Sequence, residues 1–174
     1  MAGYLQQERL LYARRQAAAA RESVEAFSAY GVDFDIRSIS AHAIEIVETQ
    51  WKAAGRRCDH WNWEVICRDF LRKPSAWCFA IWSEGRLCAL VAAETGNAHL
   101  YGAFIEGDPR SAAPLEQYRA IVALDLLSRY AELCGLRELR VVPLNDKLAQ
   151  WYQDIAAFEP FPSRENPTYY RLEL

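Results

Sequence analysis

The order of strands and helices after Trp77 constrains the fold of this chain more than any other feature. Two apolar strands, Trp77 to Trp82 and Leu87 to Glu94, are separated by Glu84-Gly85, a pair typical of a tight turn. A strand from His99 to Glu106 follows, and then a long helix from about Pro114 to Cys134. After it come a strand from Leu139 to Pro143, a helix from Asn145, a loop at Ser163 to Pro167, and a last strand from Thr168 to Leu174. This order predicts an α/β (α+β) domain in which the strands flanking the long helix are parallel neighbours that splay apart. The N-terminus of that helix would face the gap, where its unpaired amides favour a phosphate group.

Three segments are similar, in this order along the chain, to sequence patterns of one superfamily. They are the hairpin from Trp82 to Leu90, the helix body from Ala123 to Gly135, and Asn145 with Trp151-Tyr152 and Phe158. On these residues the chain resembles the GCN5-related N-acetyltransferase (GNAT) superfamily from about Val32 to the C-terminus. The resemblance implies a mixed sheet flanked by helices, one domain over residues 32–174, and acyl transfer from acetyl-CoA or another acyl-CoA to a small-molecule or protein amine.

Residues Tyr4 to Tyr30 lie outside this resemblance. The segment is rich in Ala and has no internal Gly or Pro, which predicts one helix that ends at Gly31. Its larger apolar residues are sparse, so we expect it to pack on the surface of its own domain or on a partner subunit of a homodimer. We therefore divide the chain into a helical extension, residues 1–31, and the GNAT-like domain, and expect the domain to fold without the extension.

One strand and two helices are predicted between this extension and the hairpin. Val32 to Arg37 alternates apolar and charged residues, which is typical of a half-buried strand. Ser40 is the predicted N-cap of the first helix, and a second helix runs from about Trp61 to Leu71. In the resemblance these helices cover the acceptor site. Their tryptophans would suit a planar or apolar acceptor, and core packing explains them equally well: Trp51, Trp61 and Trp63.

The loop before the long helix is where the resemblance places the phosphates of acyl-CoA, and here the chain departs from the family pattern. The family has Gln/Arg-x-x-Gly-x-Gly/Ala, whereas this chain has no glycine from Arg110 to Ala120. A β-carbon there crowds the backbone that would touch pyrophosphate, and Glu116 adds a negative charge. Either the site is a divergent one in which Arg110 and Arg119 offset this charge by contacting the phosphates, or the chain is a GNAT scaffold without cofactor that acts by binding another protein. The predicted cofactor contacts are Phe104, Ile105, Glu106, Arg110, Ser111, Gln117, Arg119, Ala120 and Asn145.

Tyr152 is the predicted general acid. The resemblance places it two turns into the helix that starts near Asn145, facing the thioester sulfur, and a tyrosine hydroxyl can donate to a departing thiolate. The alternative is a tyrosine of the core. Glu106 and Glu94 both remain candidates for the general base, because strand alternation decides whether each faces the cleft.

Composition excludes several other classes of protein. An apolar content of 52% with six Trp and nine Tyr indicates a folded domain. A net charge of −3 argues against a nucleic-acid-binding face, including one for an RNA acceptor. The five cysteines are expected to be buried free thiols, and no finger-like ligand spacing predicts a metal. No segment has the length and apolarity of a signal sequence or membrane span, so we expect a soluble cytoplasmic protein.

Overall fold

A computed structural model describes residues 2–161 and 168–174, which form a seven-stranded mixed sheet with helices on both faces. The strands are β1 (Asp35–Ser38), β2 (Trp77–Ser83), β3 (Arg86–Thr95), β4 (His99–Gly107), β5 (Glu138–Val141), β6 (Glu159–Phe161) and β7 (Tyr169–Glu173). The helices are α1 (Ala2–Ser28), α2 (Ala41–Ile46) with a π-helical turn at Val47–Trp51, α3 (Trp63–Phe70), α4 (Arg119–Leu133) and α5 (Asp146–Asp154). The strand order is β1-β2-β3-β4-β5-β7-β6.

The predicted pairing of the two strands that flank the long helix is confirmed. β4 and β5 are parallel neighbours, paired from His99–Gly102 to Glu138–Val141. Beyond this point β4 continues to Gly107 with β3 as its strand partner, while β5 ends. Pro143 follows shortly after β5 and has no N–H with which to extend the ladder. Among the described strands, none pairs with this edge of β4 over residues 103–107.

The two faces of the sheet carry separate cores, because successive side chains of a strand point to opposite sides. On one face Phe79 and Ile81 of β2 pack with α4, and α1 lies along α4 with Ala19 fully buried. On the other face Ala80 packs with Trp51 and Trp63, which belong to the helices that cover the sheet. Ser40 caps α2 as predicted, since its hydroxyl accepts a hydrogen bond from the Ala43 amide at 3.2 Å.

The long helix begins later than predicted. We expected it to start near Pro114, but α4 starts at Arg119 and residues 114–118 form turns. Leu115 has φ 62°, outside the helical region, and its carbonyl accepts hydrogen bonds from the amides of Tyr118 and Arg119. The prediction failed because no glycine marks this left-handed position.

Smaller differences concern the ends of other elements. β1 starts at Asp35 rather than at Val32, and the short strand β6 was not predicted. The predicted loop from Ser163 to Pro167 lies outside the described residues. All five cysteines are unbonded and four of them are buried. In the described part of the chain, no helix combines the length and apolarity that crossing a membrane requires.

Candidate functional site

A cavity of about 440 Å³ lies where β4 runs past the end of β5. Ile105 and Tyr152 line it and belong to the core beneath α4. Cys58 and Glu106 also line it, and Glu106 binds residues of the covering helices on the opposite face. The cavity is therefore lined by residues that pack on both faces of the sheet.

The N-terminus of α4 forms one wall of the cavity. Ala120 lines it, and the amides of Ala120 and Ile121 have no acceptor among the described residues. Arg119 also lines the cavity, and its Nη1 donates to the carbonyl oxygen of Asp108 at 2.6 Å. A β-carbon on Gly107 would lie 2.5 Å from Arg119 Nε, so only glycine lets this guanidinium approach β4 so closely. Free amides and a cation at a helix N-terminus are suited to an anion.

Arg110, the other predicted phosphate contact, is held by a carboxylate. Asp108 is fully buried and accepts hydrogen bonds at 2.8 Å from Arg110 Nε and from Arg86 Nε. Burial opposes the charge on Asp108, but the hydrogen bonds from Arg110 and Arg86 outweigh it and lower the pKa of this carboxyl group. Arg110 also donates to Gln50 on the π-helical turn. Its contacts hold the loop to the hairpin and to the helical cover.

Tyr152 is positioned by the cap and packing of α5. Asn145 is the N-cap, as expected, and its Oδ1 accepts from the Leu148 amide at 2.9 Å. The Tyr152 ring packs on Phe158 with 5.4 Å between ring centroids and is 4% exposed. Its hydroxyl has no hydrogen-bond partner within the described chain. Burial raises the pKa of Tyr152 to about 12, so the hydroxyl stays protonated at neutral pH and is able to donate.

Glu106 is buried and binds two residues of the helical cover. Arg56 donates to it in bidentate fashion, from Nε at 2.7 Å and from Nη2 at 3.0 Å, and Trp63 Nε1 donates at 2.6 Å. Arg56 also donates to Glu48 and to the carbonyl oxygen of Trp61. These bonds fasten the cover to β4. The contacts identify Glu106 as an anchor, and its predicted role as a base stays a prediction.

The loop between the π-helical turn and α3 supplies two cavity residues that the sequence analysis missed. Arg57 lines the cavity and forms no salt bridge among the described residues. Cys58 is 3% exposed, and burial raises the pKa of its thiol to about 11, so it remains protonated. In the sequence Arg57 belongs to a helix break at Gly55, and Cys58 with His60 forms a Cys/His pair that lacks the second pair a metal site needs. The place of Arg57 and Cys58 beside β4 depends on the bonds of Arg56.

The remaining predicted site residues lie away from the cavity lining. Glu94 forms a salt bridge with Lys73, which also leaves its proposed role as a base untested. The Phe104 ring packs against Trp61 on the cover side, with 4.9 Å between centroids. Three others are exposed and do not line the cavity: Ser111, Gln117 and Asn145. The structure thus brings together Ile105, Glu106, Arg119, Ala120 and Tyr152 from the predicted set.

Comparison with known proteins shows the fold. No family model matches the sequence, and no match was found among curated proteins. The fold is similar to that of PaiA N-acetyltransferase from Thermoplasma acidophilum in complex with coenzyme A, at 12% identity and a TM-score of 0.55 over 82% of this chain and 99% of that chain. It is similar to Campylobacter jejuni N-acetyltransferase PseH in complex with acetyl coenzyme A, at 11% identity and a TM-score of 0.57 over 80% and 98%. The GNAT domain of S. lividans PAT matches at 15% identity and a TM-score of 0.55 over 80% and 89%. The predicted GNAT fold is confirmed.

Proposed function

We propose that this protein is an acyl-CoA-dependent N-acyltransferase that transfers an acetyl or other acyl group to an amine. The observation that carries the proposal is the cavity at the β4–β5 divergence, which joins the α4 N-terminus, a wall suited to an anion, to the side chain of Tyr152. Phosphates and a thioester are both parts of acyl-CoA. The fold adds support, since similar structures are an N-acetyltransferase with coenzyme A and another with acetyl coenzyme A. The unbonded cysteines fit a reducing compartment, which supports a cytoplasmic location.

The residues at the α4 N-terminus fit the phosphates of the donor despite the absent glycines. Ala112 and Leu115 take the left-handed φ values, 52° and 62°, that glycine adopts at least cost. The loop therefore makes glycine-like turns, and the Ala120 amide remains free. Arg119 from α4 and Arg57 from the cover would supply the positive charge.

The chemistry that we assign to this chain is proton donation beside the thioester. An amine nitrogen forms a bond to the acyl carbon, and the carbon–sulfur bond breaks. Tyr152 donates its proton to the departing thiolate, and the proton lost by the nitrogen restores the tyrosine hydroxyl directly or through water. The products are an amide and free CoA, so atoms and charge balance. The low exposure of Tyr152 keeps bulk water from competing for this transfer.

Binding of acetyl-CoA tests the proposal. At about a hundred times its dissociation constant the ligand adds roughly 2.7 kcal/mol of stability, which raises the melting temperature measured by calorimetry. We expect Arg119→Ala to weaken this binding about tenfold or more, the loss of a charged hydrogen bond. Arg110→Ala is the matched control, because that guanidinium is engaged by Asp108 and its loss should lower stability more than affinity.

The rival function is a protein with the GNAT fold that lacks catalysis and acts by binding another protein. The alanines of the loop are the observation that favours it, since their β-carbons stand where the family has none. A wild-type protein whose melting temperature does not respond to acetyl-CoA or CoA would favour this rival and reject the acyltransferase.

A further inference from the structure

The cavity contains few groups that could remove a proton from an amine. Among residues 2–161 and 168–174, six titratable side chains line it: Arg57, Cys58, Glu106, Glu116, Arg119 and Tyr152. The two guanidinium groups stay charged and accept no proton. Burial raises the pKa of Cys58 to about 11 and that of Tyr152 to about 12, so both side chains already hold their protons at neutral pH. Two carboxylates remain as proton acceptors.

Neither carboxylate is placed as a base. Both oxygens of Glu106 accept hydrogen bonds from Arg56, and Oε2 accepts another from Trp63. These donors occupy both oxygens and hold the carboxylate against the helical cover. Glu116 is exposed and lies in the loop before α4, and its carboxylate forms no hydrogen bond or salt bridge with the described residues. Nothing orients it toward an amine.

The charge around the cavity also disfavours an ammonium ion. Arg56 pairs with Glu106, and Arg57 and Arg119 are assigned to the donor phosphates, so the exposed Glu116 is the one carboxylate left without a partner among the described lining residues. An alkyl ammonium that entered would lose its hydration and find no free buried carboxylate with which to pair. A neutral amine loses much less hydration and needs no base before it reacts.

We propose that the acceptor is a weakly basic amine, one that is substantially unprotonated near neutral pH, such as an arylamine, and not a lysine-like alkyl amine. This inference rests on the proposed acyltransferase function. The neutral nitrogen attacks the acyl carbon without prior help from the enzyme. After the bond forms, the nitrogen releases its proton to the tyrosine that has protonated the thiolate, or to water. Rates are then limited by the unprotonated fraction of the acceptor itself.

The experiment begins with acetyl-CoA binding by calorimetry on the full chain, so that failure of the proposed function is seen first. Release of CoA is then followed from pH 6 to 9 with two acceptors, 4-methoxyaniline and Nα-acetyl-lysine amide. We expect kcat/KM for the arylamine to be nearly independent of pH. For the lysine derivative it should rise about tenfold per pH unit. At pH 7.5 it should be about 10³-fold below its limit for the fully unprotonated amine, since a lysine side chain titrates near pH 10.4, and it should remain below the arylamine value.

Two results overturn the inference while leaving the acyltransferase intact. One is binding of acetyl-CoA together with better use of the lysine derivative at pH 7.5. The other is a kcat/KM for the arylamine that falls towards pH 6 in the wild type and no longer falls in Glu106→Gln or Glu116→Gln. Glu116→Gln alters an exposed side chain and should fold normally, and the wild-type pH profile alone decides if Glu106→Gln does not fold. Absence of acetyl-CoA binding rejects the proposed function and this inference together.

Discussion

At the scale of single residues, Tyr152 and Glu106 line the same cavity in opposite chemical settings. Tyr152 is buried, and its hydroxyl has no hydrogen-bond partner in the described chain. Burial favours the neutral form of this side chain. Glu106 accepts hydrogen bonds from Arg56 and Trp63. The first setting suits a proton donor, and the second suits an anchor for the helical cover.

Replacement of Tyr152 by Phe removes the hydroxyl and keeps the ring that packs on Phe158. We expect kcat to fall about 10²–10⁴-fold, because the thiolate departs without a proton, while acetyl-CoA affinity changes little. Tyr170→Phe, a half-buried tyrosine outside the cavity lining, is the control. Steady-state kinetics and calorimetry make the measurement, and full activity in Tyr152→Phe would remove the residue from the mechanism.

Asp108 should make the protein sensitive to acid. Its folded pKa is lowered, chiefly by Arg110 and Arg86 against the effect of burial, relative to about 3.9 in the unfolded chain. The contribution of Asp108 to the free energy of unfolding is fully present above the pKa of the unfolded state. It is lost as pH falls through the lower pKa of the folded state. Asp108→Asn should unfold more easily in urea at pH 7, by roughly 1–3 kcal/mol, and lose this part of the pH dependence. The exposed Asp59→Asn is the control, and equal acid sensitivity in both variants would contradict the assignment.

At the scale of elements, the turns before α4 differ most from what the sequence predicts. Two non-glycine residues there, Ala112 and Leu115, adopt left-handed φ. The Leu115 carbonyl oxygen accepts the hydrogen bonds that lead into the first turn of α4. A left-handed conformation costs a residue with a β-carbon roughly 1 kcal/mol. The same turns leave the α4 amides free to bind an anion, so the strain is located where the proposed donor binds.

Ala112→Gly tests this strain. Ala112 is exposed, so the substitution changes little except the cost of φ 52°, and we expect stability to stay level or to rise by up to about 1 kcal/mol. Ala98 is also exposed but lacks a positive φ, and Ala98→Gly should destabilise by about 0.5–1 kcal/mol. Urea unfolding compares the free energies of unfolding of the two variants. Equal losses of stability would contradict the assignment of strain to Ala112.

At the scale of the whole molecule, α1 divides into two halves with different surroundings. Its C-terminal half packs along α4, with Ala19 and Ser23 fully buried, and Gln16 donates to the carbonyl oxygen of Ala76 at 3.1 Å. Its N-terminal half exposes large apolar residues: Tyr4, Leu5, Leu10 and Leu11. A boundary at residue 31 stays a prediction, and this packing argues that the second half of the helix stabilises the domain.

Two truncations separate these roles. Removal of residues 2–11 should leave the melting temperature nearly unchanged and, if this half contacts a partner subunit, lower the mass in solution. Removal of residues 2–30 uncovers the α4 side of the core and should cost about 4 kcal/mol or more, roughly 10 °C in melting temperature for a domain of this size. Light scattering and calorimetry make the measurements. A chain starting at Gly31 that is as stable as the full protein would support the boundary at residue 31.

The sequence by itself determined the order of the elements and the parallel pairing of β4 with β5. Apolar periodicity and turn residues are local signals, and connection rules leave few topologies for such an order. The same local reasoning located Asn145 as a cap and Tyr152 two turns later. It missed the start of α4, because the left-handed residues there are Ala112 and Leu115 instead of glycine.

Only the tertiary structure decided which of the candidate side chains are free to act. Arg110 and Arg119 are both candidate phosphate contacts in the sequence. The buried carboxylate of Asp108 pairs with Arg110, whereas Arg119 donates to the Asp108 carbonyl oxygen and lines the cavity. Arg56 and Arg57 are adjacent, yet one anchors Glu106 over a separation of 50 residues while the other faces the cavity. Whether a charge is paired depends on contacts between residues distant along the chain, and local pattern carries no information about those contacts.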